Sequence, residues 1–255
     1  MKSFKNILVS ENASVATLTF NRPHLLNAMN REMMDEIIDA LKLITENENI
    51  RVAVITGEGR AFMAGADIKE YAVQTGEEFK AFQNKGKELY QLIEEANIPF
   101  IAAVNGVALG GGFEIALACD FIIASDGAKM GLPEVHLGLI PGGGGTQRLL
   151  QKIGMNRVKE MLMLGGSYTA NQMQELGIVH KVVNDNELVI AVDEMTEKLK
   201  RRPAQSLKAI KQLLKPNAVE QPFSQRIDKE GVEVFNLFYS PFAQDLINQF
   251  VSRNT

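Results

Sequence analysis

Two glutamates, Glu114 and Glu134, each follow a turn suited to exposing backbone amides. The first closes the run Asn105-Gly-Val-Ala-Leu-Gly-Gly-Gly-Phe-Glu114. The second stands in Met130-Gly-Leu-Pro-Glu134, ahead of Leu139-Ile-Pro-Gly-Gly-Gly-Gly145. Glycine lets a main chain approach a ligand because no Cβ intervenes. Amides at a helix start lack partners and carry partial positive charge. Two carboxylates beside such donors suit acid–base work on a carbonyl compound whose reaction passes through an oxyanion. Each acid also has a plainer reading, since the helix dipole alone favours an acid in a first turn. Cys119 reads as a small buried residue, Asp120 as a cap or ion-pair partner near a strand start, and His136 as a packing or surface histidine.

Other chemistries are disfavoured by spacing. Gly145 is followed by Thr146-Gln147-Arg148, so the Lys-Ser/Thr of a phosphate-binding P-loop is missing. The dinucleotide spacing G-x-G-x-x-G counted from Gly142 fails at Gln147, and no G-x-S-x-G elbow is present. His24, His136 and His180 show no metal-ligand spacing, and Cys119 is the single cysteine, which leaves neither an internal disulfide nor a thiolate metal cluster.

The elements that must carry the two acids alternate. Val15–Phe20 reads as a strand ended by Asn21-Arg-Pro. Asn30 caps a helix to about Glu46, with Met33, Met34, Ile37, Ile38, Leu41 and Ile44 at helical spacing. Val52–Thr56 is an apolar strand and Phe79–Glu95 a helix weakened by Gly86. Phe100–Val104 is a strand, Phe113–Cys119 a short helix, Phe121–Ala124 a strand, and Thr146–Ile153 the start of another helix. This alternation predicts an α/β fold with both faces of the sheet covered. Strand signals stop after about residue 185. Glu187–Arg201, Ala204–Leu214, Ser224–Phe238 and Phe242–Val251 then read as helices. Phe223, Phe235, Phe238, Phe242 and Phe250 give the end of the chain much apolar surface, for its own core or for a subunit interface. The expected division is an α/β core over 1–190 and a helical region over 191–255.

The 255 residues can bury a sizeable core. The hydrophobic share of 45% and the charged share of 23% are ordinary for a globular protein, and a net charge of −4 gives no global attraction to nucleic acid or an anionic membrane. The N-terminal residues have no long apolar stretch, and no apolar run reaches the roughly 20 residues that span a bilayer. A cytoplasmic location is the expectation.

Read together, three motifs resemble the crotonase superfamily, most of all its enoyl-CoA hydratases. They are Ala64-Gly-Ala-Asp-Ile-Lys-Glu70, Ile101 through Glu114, and Pro133-Glu134 through Leu139-Ile-Pro-Gly-Gly-Gly-Gly-Thr-Gln-Arg-Leu149, in that order. The similarity runs from Asn21-Arg-Pro to the Leu237–Phe242 stretch. It implies a spiral of repeated β-β-α units with a C-terminal helical region that builds trimers, often paired into hexamers. It further implies an oxyanion hole from the amides of Ala66 and Gly111, with Glu134 as main proton donor and Glu114 as the group that orients and deprotonates a water. Gly142 is expected to offer an amide near the water or Glu134. Ala64, Asp67, Ile68, Lys69 and Arg22 are expected around the substrate, with Arg22 and Lys69 as the basic candidates for coenzyme A, and Tyr71 to Lys87 bordering the acyl end. Compared with the family, the tail is shorter by several residues, and Arg253 stands where a basic residue would reach a nucleotide phosphate.

The activity implied is addition of water to a trans-2-enoyl-CoA in acyl-CoA degradation, with coenzyme A as part of the substrate, no separate cofactor and no metal. Isomerisation or decarboxylation of an acyl-CoA is the rival within the family. Some relatives bind RNA, but the basic stretch Lys198-Leu-Lys-Arg-Arg202 lacks aromatic residues and the isoelectric point is about 5.6.

Overall fold

The computed structural model describes residues 3–215 and 220–253; the Arg253 side chain and the last two residues, which bear on the tail expectation, lie outside the described residues. The strands are β1 (Ile7–Asn12), β2 (Val15–Phe20), β3 (Val52–Gly57), β4 (Ala61–Met63), β5 (Phe100–Val104), β6 (Val107–Leu109), β7 (Phe121–Ser125), β8 (Lys129–Gly131), β9 (Ser167–Thr169) and β10 (Lys181–Val183). They form two sheets, in the orders β1-β2-β3-β5-β7-β10 and β4-β6-β8-β9. β1 is antiparallel to β2 and β9 to β8, and every other pair is parallel.

The helices that matter for the site are α1 (Arg31–Glu46), α2 (Ile68–Tyr71), α3 (Gly76–Glu95), α4 (Gly111–Ala118) and α5 (Gly145–Ile153). Three successive stretches repeat one pattern. β3, β5 and β7 each enter the large sheet. The next strand, β4, β6 or β8, enters the small sheet, and a helix follows. This is the expected spiral of β-β-α units. The second strand of each unit is absent from the sequence reading, because three residues are too few to display a period of two. β1 is a further strand that the reading did not find.

The central strands of the large sheet, β3, β5 and β7, are buried on both faces. Val52, Val54, Ile101, Ala103 and Ile123 pack on one side against Leu188, Ala191, Val192 and Leu199, while Ala53, Ile55, Phe100, Ala102 and Val104 join the main core on the other. Continuous apolar strands are the consequence of that double burial. Each of the Val, Leu, Ile and Phe side chains among them contributes roughly 1.5–3 kcal/mol when fully buried.

Local signals worked as expected at α1, where the Asn30 side chain accepts the Met33 amide at 2.9 Å. Two helix starts differ from expectation. α3 begins at Gly76, because Thr75 and Glu78 form a reciprocal capping box. α4 begins at Gly111 rather than Phe113. Gly86 does not interrupt α3: it is buried, and its bare Cα faces Met34 and Tyr90.

The remaining helices are α6 (Met155–Leu164), α7 (Ala170–Glu175), α8 (Leu188–Lys200), α9 (Ala204–Leu213), α10 (Phe223–Phe238) and α11 (Pro241–Arg253). No strand follows Val183 among the described residues. α8 straddles position 190 and packs on the large sheet. α10 buries no residue, and Phe235 and Phe250 are 62% and 71% exposed. The apolar surface of these last helices is therefore not consumed by the chain's own core.

Candidate active site

β4, β6 and β8 lie side by side and parallel, with Met63 beside Ala108 and Leu109 beside Gly131. Their C-terminal ends therefore share one edge, the usual location of sites in parallel sheets. From that edge leave Ala64–Ala66, Gly110–Glu114 and Leu132–Glu134. Three segments far apart in sequence converge because three repeats end at the same level.

The first segment is held by Met29. Its amide donates to the Gly65 carbonyl at 2.8 Å, and its carbonyl accepts the Asp67 amide at 2.9 Å. A parallel bridge of this kind leaves the intervening residue, Ala66, with its own N–H directed away from Met29. In the second segment Gly110 donates to Gly131 at 3.0 Å, and Glu114 donates back to Gly110 at 2.9 Å. Gly111 is thus the first residue of α4, where an amide has no partner within the helix. Among the described residues neither the Ala66 nor the Gly111 amide donates to a backbone oxygen, and both residues line one cavity. Gly112 permits the approach of the two segments. A Cβ there would sit 2.2 Å from the Met63 carbonyl oxygen.

Glu114 and Glu134 line the same cavity, which encloses about 200 Å³. Glu114 is only 3% exposed, and its Oε1 accepts the amides of Gly143 and Gly145, each at 2.8 Å. Burial raises its carboxyl above the ordinary range, opposed by the Gly145 and Gly143 amides, by Arg148 and by Tyr90. Glu134 begins the short turn Glu134–Leu137, and its Oε2 is buried without a hydrogen-bond partner among the described residues. Burial pushes the Glu134 carboxyl up to about 7; the Glu114 charge adds to the rise, and Glu134's own amide opposes it. Because the Glu114 charge raises the Glu134 carboxyl, the two titrate as a coupled pair.

One side of the cavity is apolar. Met29, Met34, Ile68, Tyr71, Phe79 and Phe82 form its wall, and Tyr71 packs edge-on against both Phe79 and Phe82. Ala64, Ile68 and Gly142 also line it. Asp67, Lys69 and Arg22 are not part of that lining. Arg22 pairs with Asp67 at 3.2 Å and donates to the Ala28 carbonyl, so these two brace the loop ahead of α2, while Lys69 is exposed. Cys119 is buried, and burial pushes its thiol well up, the opposite of an activated nucleophile. Asp120 accepts the Phe100 amide and the Lys211 ammonium, both at 2.7 Å, which fits its reading as a pairing group.

Sequence reasoning missed Tyr90, Met29 and Arg148 at this site. Tyr90 lies on the cavity face of α3 with Phe82 and Gly86, a spacing of four that the helix pattern contained. Asn27 was missed too. It is fully buried, and its side-chain amide donates to the carbonyls of Glu58, Ala61 and Phe62, which fixes the approach into β4.

Among the described residues, no group of three or more His, Cys, Asp or Glu is arranged to hold a metal ion, and no helix is long and apolar enough to cross a membrane. A family model described as enoyl-CoA hydratase/isomerase matches residues 10–251. The chain is 39% identical over 198 residues to the crotonyl-CoA hydratase of Syntrophomonas wolfei, covering 77% of this chain and 76% of that one. It is 38% identical over 210 residues to the 2,3-dehydroadipyl-CoA hydratase of Escherichia coli, with 82% and 81% covered. A crystal structure of enoyl-CoA hydratase from Bacillus anthracis superposes with a TM-score of 0.93 at 32% identity, over 98% of this chain and 97% of that one.

Proposed function

The chain belongs to the enoyl-CoA hydratase/isomerase family, and from that premise we propose that it is an enoyl-CoA hydratase, adding water across the 2,3 double bond of a trans-2-enoyl-CoA. The observation that carries the reading is the pairing of two acids with two unpartnered amides around one cavity.

The thioester oxygen sits between the Ala66 and Gly111 amides. Glu114, held by Gly143 and Gly145, takes a proton from a water as the water oxygen bonds to Cβ. The π electrons move onto the thioester oxygen, where the two amides stabilise the developing charge. Loss of one such donor typically costs roughly 3–4 kcal/mol. Glu134, whose carboxyl is pushed up to about 7, delivers its proton to Cα as the carbonyl re-forms. The product is the 3-hydroxyacyl-CoA. The proton gained by Glu114 balances the one lost by Glu134, and exchange between them restores the starting state. Gly142 borders the same space and is assigned to the water side. Lys69, which is exposed, remains the basic candidate near the nucleotide end, whereas Arg22 is engaged by Asp67 and the Ala28 carbonyl.

The exposed phenylalanines of α10 and α11 support assembly into a trimer or hexamer. A cytoplasmic role in acyl-CoA degradation is part of the same proposal. The test is the loss of the conjugated thioester's absorbance on adding the protein to crotonyl-CoA, alongside a 3-enoyl-CoA. Consumption of the 2-enoyl substrate with formation of 3-hydroxybutyryl-CoA supports hydration. Turnover of the 3-enoyl compound alone would replace hydration by isomerisation.

A further inference from the structure

Glu114 does not meet its supporting charge directly. The Arg148 guanidinium, from α5, donates to the Gly143 carbonyl and forms a two-pronged pair with Glu94 of α3, with Nε at 2.5 Å and Nη2 at 2.8 Å. Both side chains are largely buried, Arg148 at 12% exposure and Glu94 at 22%. The guanidinium also lies over the Tyr90 ring, 5.3 Å from its centre. Gly143 is sandwiched in this arrangement: a Cβ on it would lie 2.1 Å from the Tyr90 ring. The peptide whose carbonyl Arg148 grips belongs to the same loop whose Gly143 and Gly145 amides hold Glu114 Oε1.

We propose that Arg148, fixed by Glu94, is a positioning residue for Glu114, acting through the backbone of Gly143–Gly145. A fork of two parallel hydrogen bonds fixes orientation as well as charge, which a lysine does not reproduce. The pair ties α5 to α3, and so sets the distance between the loop and the Tyr90 face on which it rests. It also places a fixed cation behind the base. The ionisable groups facing Glu114 are Arg148 from α5, Tyr90 from α3, Tyr71 from α2 and Glu134 from the turn after β8. Arg148 is the one cation among them, and it favours the ionised carboxylate. Without it, Glu114 holds its proton to higher pH.

This inference rests on the assignment of Glu114 as base, so its test has an arm that needs no turnover. Glu114 is identified in the carboxyl carbon spectrum of protein labelled with 13C-glutamate by its loss in Glu114→Gln. Its titration is then compared in wild type, Arg148→Gln, Arg148→Lys and Glu94→Gln, with folding checked by circular dichroism. The expected result is a Glu114 titration moved to higher pH in Arg148→Gln, and by less in Arg148→Lys. In crotonyl-CoA hydration, kcat should fall by about 10²-fold in Arg148→Gln, the scale of a small misplacement at a reacting centre. KM should stay within about twofold, and the acidic limb of the pH profile should move up with the titration. Glu94→Gln keeps the cation but frees it, so it should lower kcat with a smaller shift. The double variant should be no worse than Arg148→Gln alone. A Glu114 titration unchanged in a folded Arg148→Gln protein overturns the proposal, whether or not the protein hydrates crotonyl-CoA. An inactive wild type with a shifted titration would instead refute the hydratase reading and leave the positioning role standing.

Discussion

Glu114 and Glu134 face one cavity from the ends of adjacent parallel strands, yet they are held in opposite ways. Glu114 lodges one oxygen against two backbone amides, whereas Glu134 keeps a buried oxygen with no partner among the described residues. Burial raises both carboxyls; at Glu114 the Gly145 and Gly143 amides and Arg148 oppose the rise, whereas at Glu134 only its own amide does and the Glu114 charge adds to it. The geometry thus distinguishes the two carboxyls before any substrate arrives, and it matches the proposed base and acid.

Glu114→Gln and Glu134→Gln should each retain the fold and lose roughly 10²–10⁴-fold in hydration rate, the range of general acid–base groups. Initial rates on crotonyl-CoA, with circular dichroism as a folding check, decide the matter. Near-normal turnover in either variant would remove that residue from the mechanism.

The raised Glu134 carboxyl carries a sign. It must be protonated to deliver its proton, so kcat/KM of the free enzyme should decline as pH rises through about 7. Because the charge of Glu114 contributes to the rise, Glu114→Gln should move the Glu134 titration to lower pH. Carboxyl carbon NMR reads this directly. A Glu134 titration near the ordinary glutamate value in wild type would contradict the assignment.

Gly86 opens the wall between Phe82 and Tyr90. A Cβ there would meet Met34 and Tyr90 at 3.7 Å, ordinary contact distance, so substitution is tolerated while larger side chains enter the cavity. Gly86→Leu should leave crotonyl-CoA turnover within a few-fold and depress longer 2-enoyl substrates, since each methylene in an apolar pocket is worth roughly 1–3 kcal/mol. A panel of chain lengths tests this. A uniform loss at all lengths would place the acyl chain elsewhere.

The exposed apolar faces of α10 and α11 motivate a prediction on the proposed assembly. Light scattering should give a trimer or hexamer, and Phe235→Glu or Phe250→Glu should weaken association, whichever face forms the contact. Truncation after Pro222 should yield aggregation or poorly active soluble subunits. A monomer at micromolar concentration, fully active, would refute the interface.

Much of this was legible in the sequence, for physical reasons. Asn30 announced α1 because a side-chain cap is local. The double burial of β3 and β5 announced itself as unbroken apolar runs. Glu114, Glu134, Ala66 and Gly111, singled out through glycine-rich turns and through resemblance, all line one cavity. What stayed hidden was non-local. β4, β6 and β8 exist because they pair with one another, and three residues carry no period. Arg148 looked like the end of a glycine motif, since nothing in its neighbourhood in sequence indicates Glu94, which precedes it by more than fifty residues. Arg22 drew attention as a cation, and its partner Asp67 became apparent only once the loop was folded.

The convergence of three repeats on one edge has a kinetic corollary. No single unit contains both acids and both amides, so a chain with one unit unformed lacks a complete hydration site. Ala66 arrives with β4, Gly111 and Glu114 with β6, and Glu134 with β8. These contacts join segments distant along the chain, which form late because loop closure must precede their reward. During refolding, therefore, helical signal should return before turnover does, and recovered activity marks the closing of the spiral rather than its collapse.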